Sequence, residues 1–204
     1  EQTAEIAGRL AAVRQRIRDA EATYGREPGS VKLLAVSKRQ PVEAIRAALA
    51  DGQHAFGENY LQEGAEKREA LAGEAVEWHF IGALQSNKTR AVAEGFEWVH
   101  TIDRLKIARR LSEQRPEGAA PLQCCLQVNV SGEASKSGVA PREVAALAPQ
   151  IAELPNLQLR GLMTLPEAVT DFESQRAAFR ELRELQSQLV ANGLALHTLS
   201  MGMS

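Results

Sequence analysis

The chain has little on which several common functions depend. Only two cysteines occur in 204 residues, and they are neighbours, Cys124-Cys125. Adjacent side chains on a strand point to opposite faces, so a mutual disulfide is not expected. Their spacing matches no metal-binding pattern, and reduced cysteines in an apolar segment suit the cytoplasm. Charge of one sign is also missing: 24 basic against 26 acidic residues give a formal charge of −2. Basic residues are scattered and do not alternate with aromatics, which make up 4% of the chain. Nothing in that pattern supports binding to nucleic acid or to a membrane surface. No apolar run approaches the ~18 residues of a membrane helix. The first eighteen residues, Glu1 to Arg18, are too charged for a secretion signal.

What is present is a strand–helix alternation. A leading amphipathic helix carries Ile6, Leu10, Val13 and Ile17 on one face and ends near Tyr24-Gly25. Strands are then expected at 33–37, 54–57, 77–82, 98–102, 122–130, 157–163 and 196–200. Helices are expected at 41–51, 60–71, 86–94, 104–114, 141–153 and 171–191. Such alternation implies parallel strands joined by right-handed crossovers. An open dinucleotide-binding sheet would need a glycine-rich turn after the first strand. The turn here is Ser37-Lys38-Arg39-Gln40-Pro41, without glycine. The expected fold is therefore a single-domain (β/α)8 TIM barrel over residues 1–204, with residues 1–25 as a leading helix. Seven strands are legible, so the eighth is expected to be missing from the given chain.

In such barrels the chemistry collects at the C-terminal strand ends. Lys38 closes the apolar run Val31-Lys32-Leu33-Leu34-Ala35-Val36-Ser37. A lysine buried there would have a lowered pKa, and its neutral amine would attack aldehydes; a lysine reaching solvent is the plainer alternative. Ser200-Met201-Gly202-Met203-Ser204 offers hydroxyls, a glycine and backbone N–H groups suited to an anion. An amine and a phosphate cradle together suit an aldehyde bearing a phosphate. Asn59 is either a helix N-cap or a ligand contact. His79 reads as structural, Trp78 and Trp98 as core, and Met163 as an apolar wall for a flat ring. Lys136 lies in a glycine- and serine-rich loop, either solvated or as a second amine.

Several segments together resemble a known family. They are Leu33-Leu34-Ala35-Val36-Ser37-Lys38, Phe56-Gly57-Glu58-Asn59-Tyr60 with Gln62-Glu63, Trp78-His79-Phe80-Ile81-Gly82, and Leu84-Gln85-Ser86-Asn87-Lys88. Gln127-Val128-Asn129, Lys136-Ser137-Gly138, Arg160-Gly161-Leu162-Met163 and Leu199 to Ser204 continue the pattern. From about Val31 onward the chain is similar to the pyridoxal-phosphate homeostasis protein (YggS/PROSC) family. The resemblance implies a barrel like the N-terminal domain of alanine racemase and pyridoxal 5'-phosphate in Schiff-base linkage to Lys38. It implies cofactor contacts at Asn59, Met163, Ser200, Met201, Gly202 and Ser204, and a role in vitamin B6 homeostasis without catalytic turnover. Pyridoxal-phosphate-dependent apoenzymes are the implied partners, the chain being a monomer or weak homodimer. The family continues with an arginine–isoleucine–glycine–threonine segment that the given sequence does not contain.

Two enzymatic alternatives stand beside this. An amino-acid racemase or decarboxylase would need a second proton-transfer group, and only Tyr24 and Tyr60 are available as tyrosines. A barrel aldolase would use Lys38 without any cofactor.

Overall fold

The computed structural model describes residues 1–130, 132 and 137–202. Lys136, Met203 and Ser204 therefore lie outside the described residues. The chain divides into two compact units, Glu1–His79 and Phe80–Ser204.

The first unit begins with α1 (Gln2–Thr23), followed by β1 (Ala35–Val36), α2 (Val42–Ala50), β2 (Ala55–Glu58), α3 (Leu61–Ala70) and most of β3 (Glu77–Phe80). Its apolar side chains include Ile45, Phe56, Leu71 and Trp78, all buried. The leading helix is fixed by polar groups as much as by its apolar stripe, of which Val13 stays exposed. Arg14 donates to the Asp51 carbonyl (3.0 Å), the Asp51 carboxylate (3.1 Å) and the Gln53 amide oxygen (3.1 Å). The buried Glu21 carboxylate accepts the Val31 N–H at 3.0 Å.

β1 pairs parallel with β2, Ala35 opposite Phe56 and Val36 opposite Gly57. It has two residues where the apolar run suggested five. The reason lies in the hydrogen bonds. Before β1, the Leu33 carbonyl is taken by the Gln53 side chain at 2.9 Å, so a side-chain amide replaces a ladder bond. After β1, the Ser37 N–H still reaches Gly57 O at 2.9 Å, and then the chain turns.

The second unit carries α4 (Thr89–Gly95), β4 (Trp98–Ile102), α5 (Leu105–Gln114), β5 (Leu122–Gln127), α6 (Val144–Ala152), β6 (Leu157–Thr164), α7 (Phe172–Ala191) and β7 (Thr198–Met201). Short 3-10 turns at Ser86–Lys88 and Pro141–Glu143 lead into α4 and α6. Strands β4, β5, β6 and β7 pair in parallel in chain order. Asp171 caps α7, its carboxylate accepting the Ser174 N–H at 3.0 Å. Leu122, Leu126, Leu162, Ile107, Leu111, Ile151 and Leu182 form the buried interior. Cys124 and Cys125 are free and fully buried; burial pushes the Cys124 thiol up to about 12, and raises that of Cys125 as well. Gly161 permits a close approach of β6 and β7. A Cβ at that position would sit 1.6 Å from the Thr198 carbonyl oxygen and 2.8 Å from Gln186 Oε1. Only glycine lets β6 and β7 run this close.

Candidate functional site

Lys38 lies in the turn that follows β1, and it is exposed. The expectation of a buried strand-end amine is thereby corrected. The strand stops after Val36, itself 51% exposed, so the apolar run does not continue to the lysine. The turn is tightly specified nonetheless. Ser37 O accepts the Gln40 N–H at 3.1 Å, closing a four-residue turn with Lys38 and Arg39 at its corners. Arg39 has φ +62°, the left-handed region that a non-glycine residue occupies at a cost of about 1–2 kcal/mol.

Beneath this turn is a buried ionic cluster that the sequence reading missed. Lys67, in the last turn of α3, is buried, and its ammonium donates to three oxygens. These are Ser37 O at 2.6 Å, Glu58 Oε1 at 2.8 Å and Glu63 Oε1 at 2.8 Å. Glu58, 0% exposed, uses its other oxygen to accept the Ser37 hydroxyl at 2.6 Å. Glu63 also accepts the Arg39 N–H. The hydrogen bond from Lys67 holds the Glu63 carboxyl below its ordinary range, and the Arg39 N–H adds to that. Both neighbours of Lys38 are thus tied to one cluster. On the exposed side, the Arg39 guanidinium lies 5.8 Å from the Tyr60 ring centre.

Asn59 is not a helix cap. The residue at the N-terminus of α3 is Tyr60, and no side-chain cap bond is made there. Instead the Asn59 Oδ1 atom is buried without a hydrogen-bond partner among the described residues. Such an orphan acceptor is costly unless something else completes it.

In the second unit, Met163 and Ser200 are register partners across β6 and β7. Met163 is buried. Ser200 is partly buried, and its hydroxyl lies 2.6 Å from His100 Nδ1. Met201 is exposed at the end of β7, and Gly202 follows it. Ser200 is therefore inside a strand, one residue before its end. His79 Nε2 is 2.7 Å from Glu77 Oε1, two residues away on the same strand. Trp78 is core, packed 6.2 Å from Phe56, whereas Trp98 is only partly buried, 5.8 Å from the His100 ring.

Two residues of these arrangements that the sequence does not single out are Lys67 and His100. Lys67 had a legible signal: Glu63 precedes it by four residues, the spacing of a helical ion pair.

Residues 9–204 match the family described as alanine racemase, N-terminal domain. A Pseudomonas aeruginosa protein named pyridoxal phosphate homeostasis protein is 58% identical over 199 residues, covering 98% of this chain and 85% of the relative. An Escherichia coli protein of the same name is 47% identical over 203 residues, covering 98% of this chain and 87% of its own. Among solved structures, PipY of Synechococcus elongatus with pyridoxal phosphate bound is 39% identical, with a TM-score of 0.82. That match covers 98% of this chain and 89% of PipY.

Proposed function

The chain belongs to the pyridoxal phosphate homeostasis protein family and has the α/β fold of the alanine racemase N-terminal domain, the (β/α)8 type with seven strands among the described residues, and on that premise we propose that it carries pyridoxal 5'-phosphate on Lys38. The observation that carries this reading is the setting of Lys38, an exposed amine at the corner of a turn whose two flanking residues are held by Lys67, Glu58 and Glu63. The amine condenses with an aldehyde carbon; a C=N bond forms and water leaves. Exposure lets the aldehyde reach Lys38, and lets it leave again by hydrolysis. That reversibility suits storage and delivery.

The residues present fit the group. Asn59 offers a buried amide oxygen with no partner among the described residues. Together with Lys38 and Asn59, we assign Met163, Ser200, Met201, Gly202 and Ser204 to holding the cofactor. The cofactor supplies an aldehyde and an electron-withdrawing ring; the chain supplies the amine, the hydrogen bonds and the phosphate contacts.

We further propose that the protein maintains the vitamin B6 pool in the cytoplasm without catalytic turnover, and that pyridoxal-phosphate-dependent apoenzymes receive the cofactor. No helix among the described residues is long and apolar enough to cross a membrane. The relatives named for homeostasis favour this reading over a racemase or decarboxylase. The test is an assay of racemisation and decarboxylation over the common amino acids with cofactor-loaded protein. No turnover above the free cofactor's background is expected; sustained turnover would overturn the carrier reading.

A further inference from the structure

Lys67, Glu58 and Glu63 form a device with an arrangement that burial alone does not explain. A buried ion pair is weak support for stability, because desolvation offsets most of its attraction. A packed apolar trio would serve a core at least as well. What the charges do here is grip the two residues that flank Lys38. Lys67 holds the carbonyl of Ser37, Glu58 holds its hydroxyl, and Glu63 holds the amide of Arg39. The only residue between the gripped positions is Lys38. Arg39 sits in the left-handed region, which its side chain disfavours, so the turn needs an external restraint to keep that shape. The Glu63 bond falls on that residue's own N–H.

We infer that Lys67, Glu58 and Glu63 are positioning residues for the Lys38 amine, acting by locking the Ser37–Gln40 turn. The amine's value as a nucleophile depends on where its stem leaves the backbone. An exposed lysine on a free loop would sample many directions, and ordering it only on reaction would slow capture. The cluster removes that disorder in advance. This inference rests on the reading of Lys38 as the linking amine.

The first test is E63A, chosen because Glu63 is partly exposed, its side chain 28% accessible, and its loss leaves the Lys67–Glu58 pair intact. Two quantities are measured. One is the hydrogen-exchange rate of the Arg39 amide in cofactor-free protein. The other is the rate at which pyridoxal phosphate plus borohydride labels Lys38, located by peptide mapping. E63A is expected to raise Arg39 exchange at least tenfold, leave amides of β5 and β6 unchanged, and slow labelling at least fivefold. E63Q, which keeps an acceptor oxygen, is expected to stay within about twofold of wild type in both. The double variant K67M/E58Q, which removes both buried charges together, is expected to behave like E63A. Arg39 exchange and Lys38 labelling both within twofold of wild type in folded E63A would overturn the proposal, whether or not the double variant folds. Failure of wild-type Lys38 to label at all would overturn the functional reading instead, while the Arg39 exchange rate would still decide the positioning role.

Discussion

The hydroxyl of Ser200 lies 2.6 Å from Nδ1 of His100, joining β7 to β4 through side chains. Ser200 is also the register partner of Met163. Two residues assigned to the cofactor thus lie side by side, and one already has a protein partner that fixes its orientation.

If Ser200 contacts the phosphate, S200A removes a hydrogen bond to a charged acceptor. The expected cost is about 1.5–3 kcal/mol, roughly ten- to 150-fold in Kd for pyridoxal phosphate. Equilibrium titration of the visible absorbance checks this. Unchanged affinity would take Ser200 out of the site.

G161A tests the β6–β7 contact. Its methyl would overlap the Thr198 carbonyl oxygen, so the strands must separate or shift. Overpacking of this kind costs about 1–3 kcal/mol, and backbone on the receiving side puts this case at the upper end. Urea denaturation should show a clearly lowered midpoint; a wild-type midpoint would contradict the close approach.

Cys124 and Cys125 should be inert in the folded state. Both are fully buried and burial raises both thiols, so the thiolate fraction at pH 8 is small. A thiol reagent at pH 8 is expected to modify neither residue in native protein and both in urea. Fast modification of native protein would contradict the buried placement.

Glu63 sets an acid limit on the Lys38 turn. Its pKa is lowered by Lys67, so the unfolded chain takes up a proton at higher pH than the folded one. The stabilisation is therefore complete above the ordinary carboxylate value and is lost as pH falls through the lowered folded value. Unfolding free energy measured from pH 6 to pH 3 should fall less steeply in E63Q than in wild type. Equal slopes would contradict the Glu63–Lys67 bond.

Much of this was legible in the sequence, for physical reasons that can be named. The strand–helix alternation follows from apolar runs punctuated by Gly52, Gly95 and Pro116, and β4 falls on the expected residues. β1 was overestimated because the run Leu33 to Ser37 is apolar, while its hydrogen bonds end early on the Gln53 side chain. The apolar run before Lys38 points to a buried setting, but hydrophobic neighbours in sequence are not its neighbours in space, and Lys38 is exposed. Lys67 shows the converse. In the charged stretch Glu63 to Glu69 it looks like part of a solvated helix face, yet it points inward to Glu58. No local pattern reveals that a carboxylate at the end of β2 needs a cation from the following helix.

The central claim is the covalent bond to Lys38. Purified protein would be incubated with pyridoxal phosphate, reduced with borohydride, digested and mapped by mass spectrometry, with K38A alongside. A yellow protein, one reduced-cofactor adduct on the peptide containing Lys38, and no adduct at that site in K38A are expected. A colourless protein without the adduct, or an undiminished adduct on another lysine in K38A, would contradict the claim.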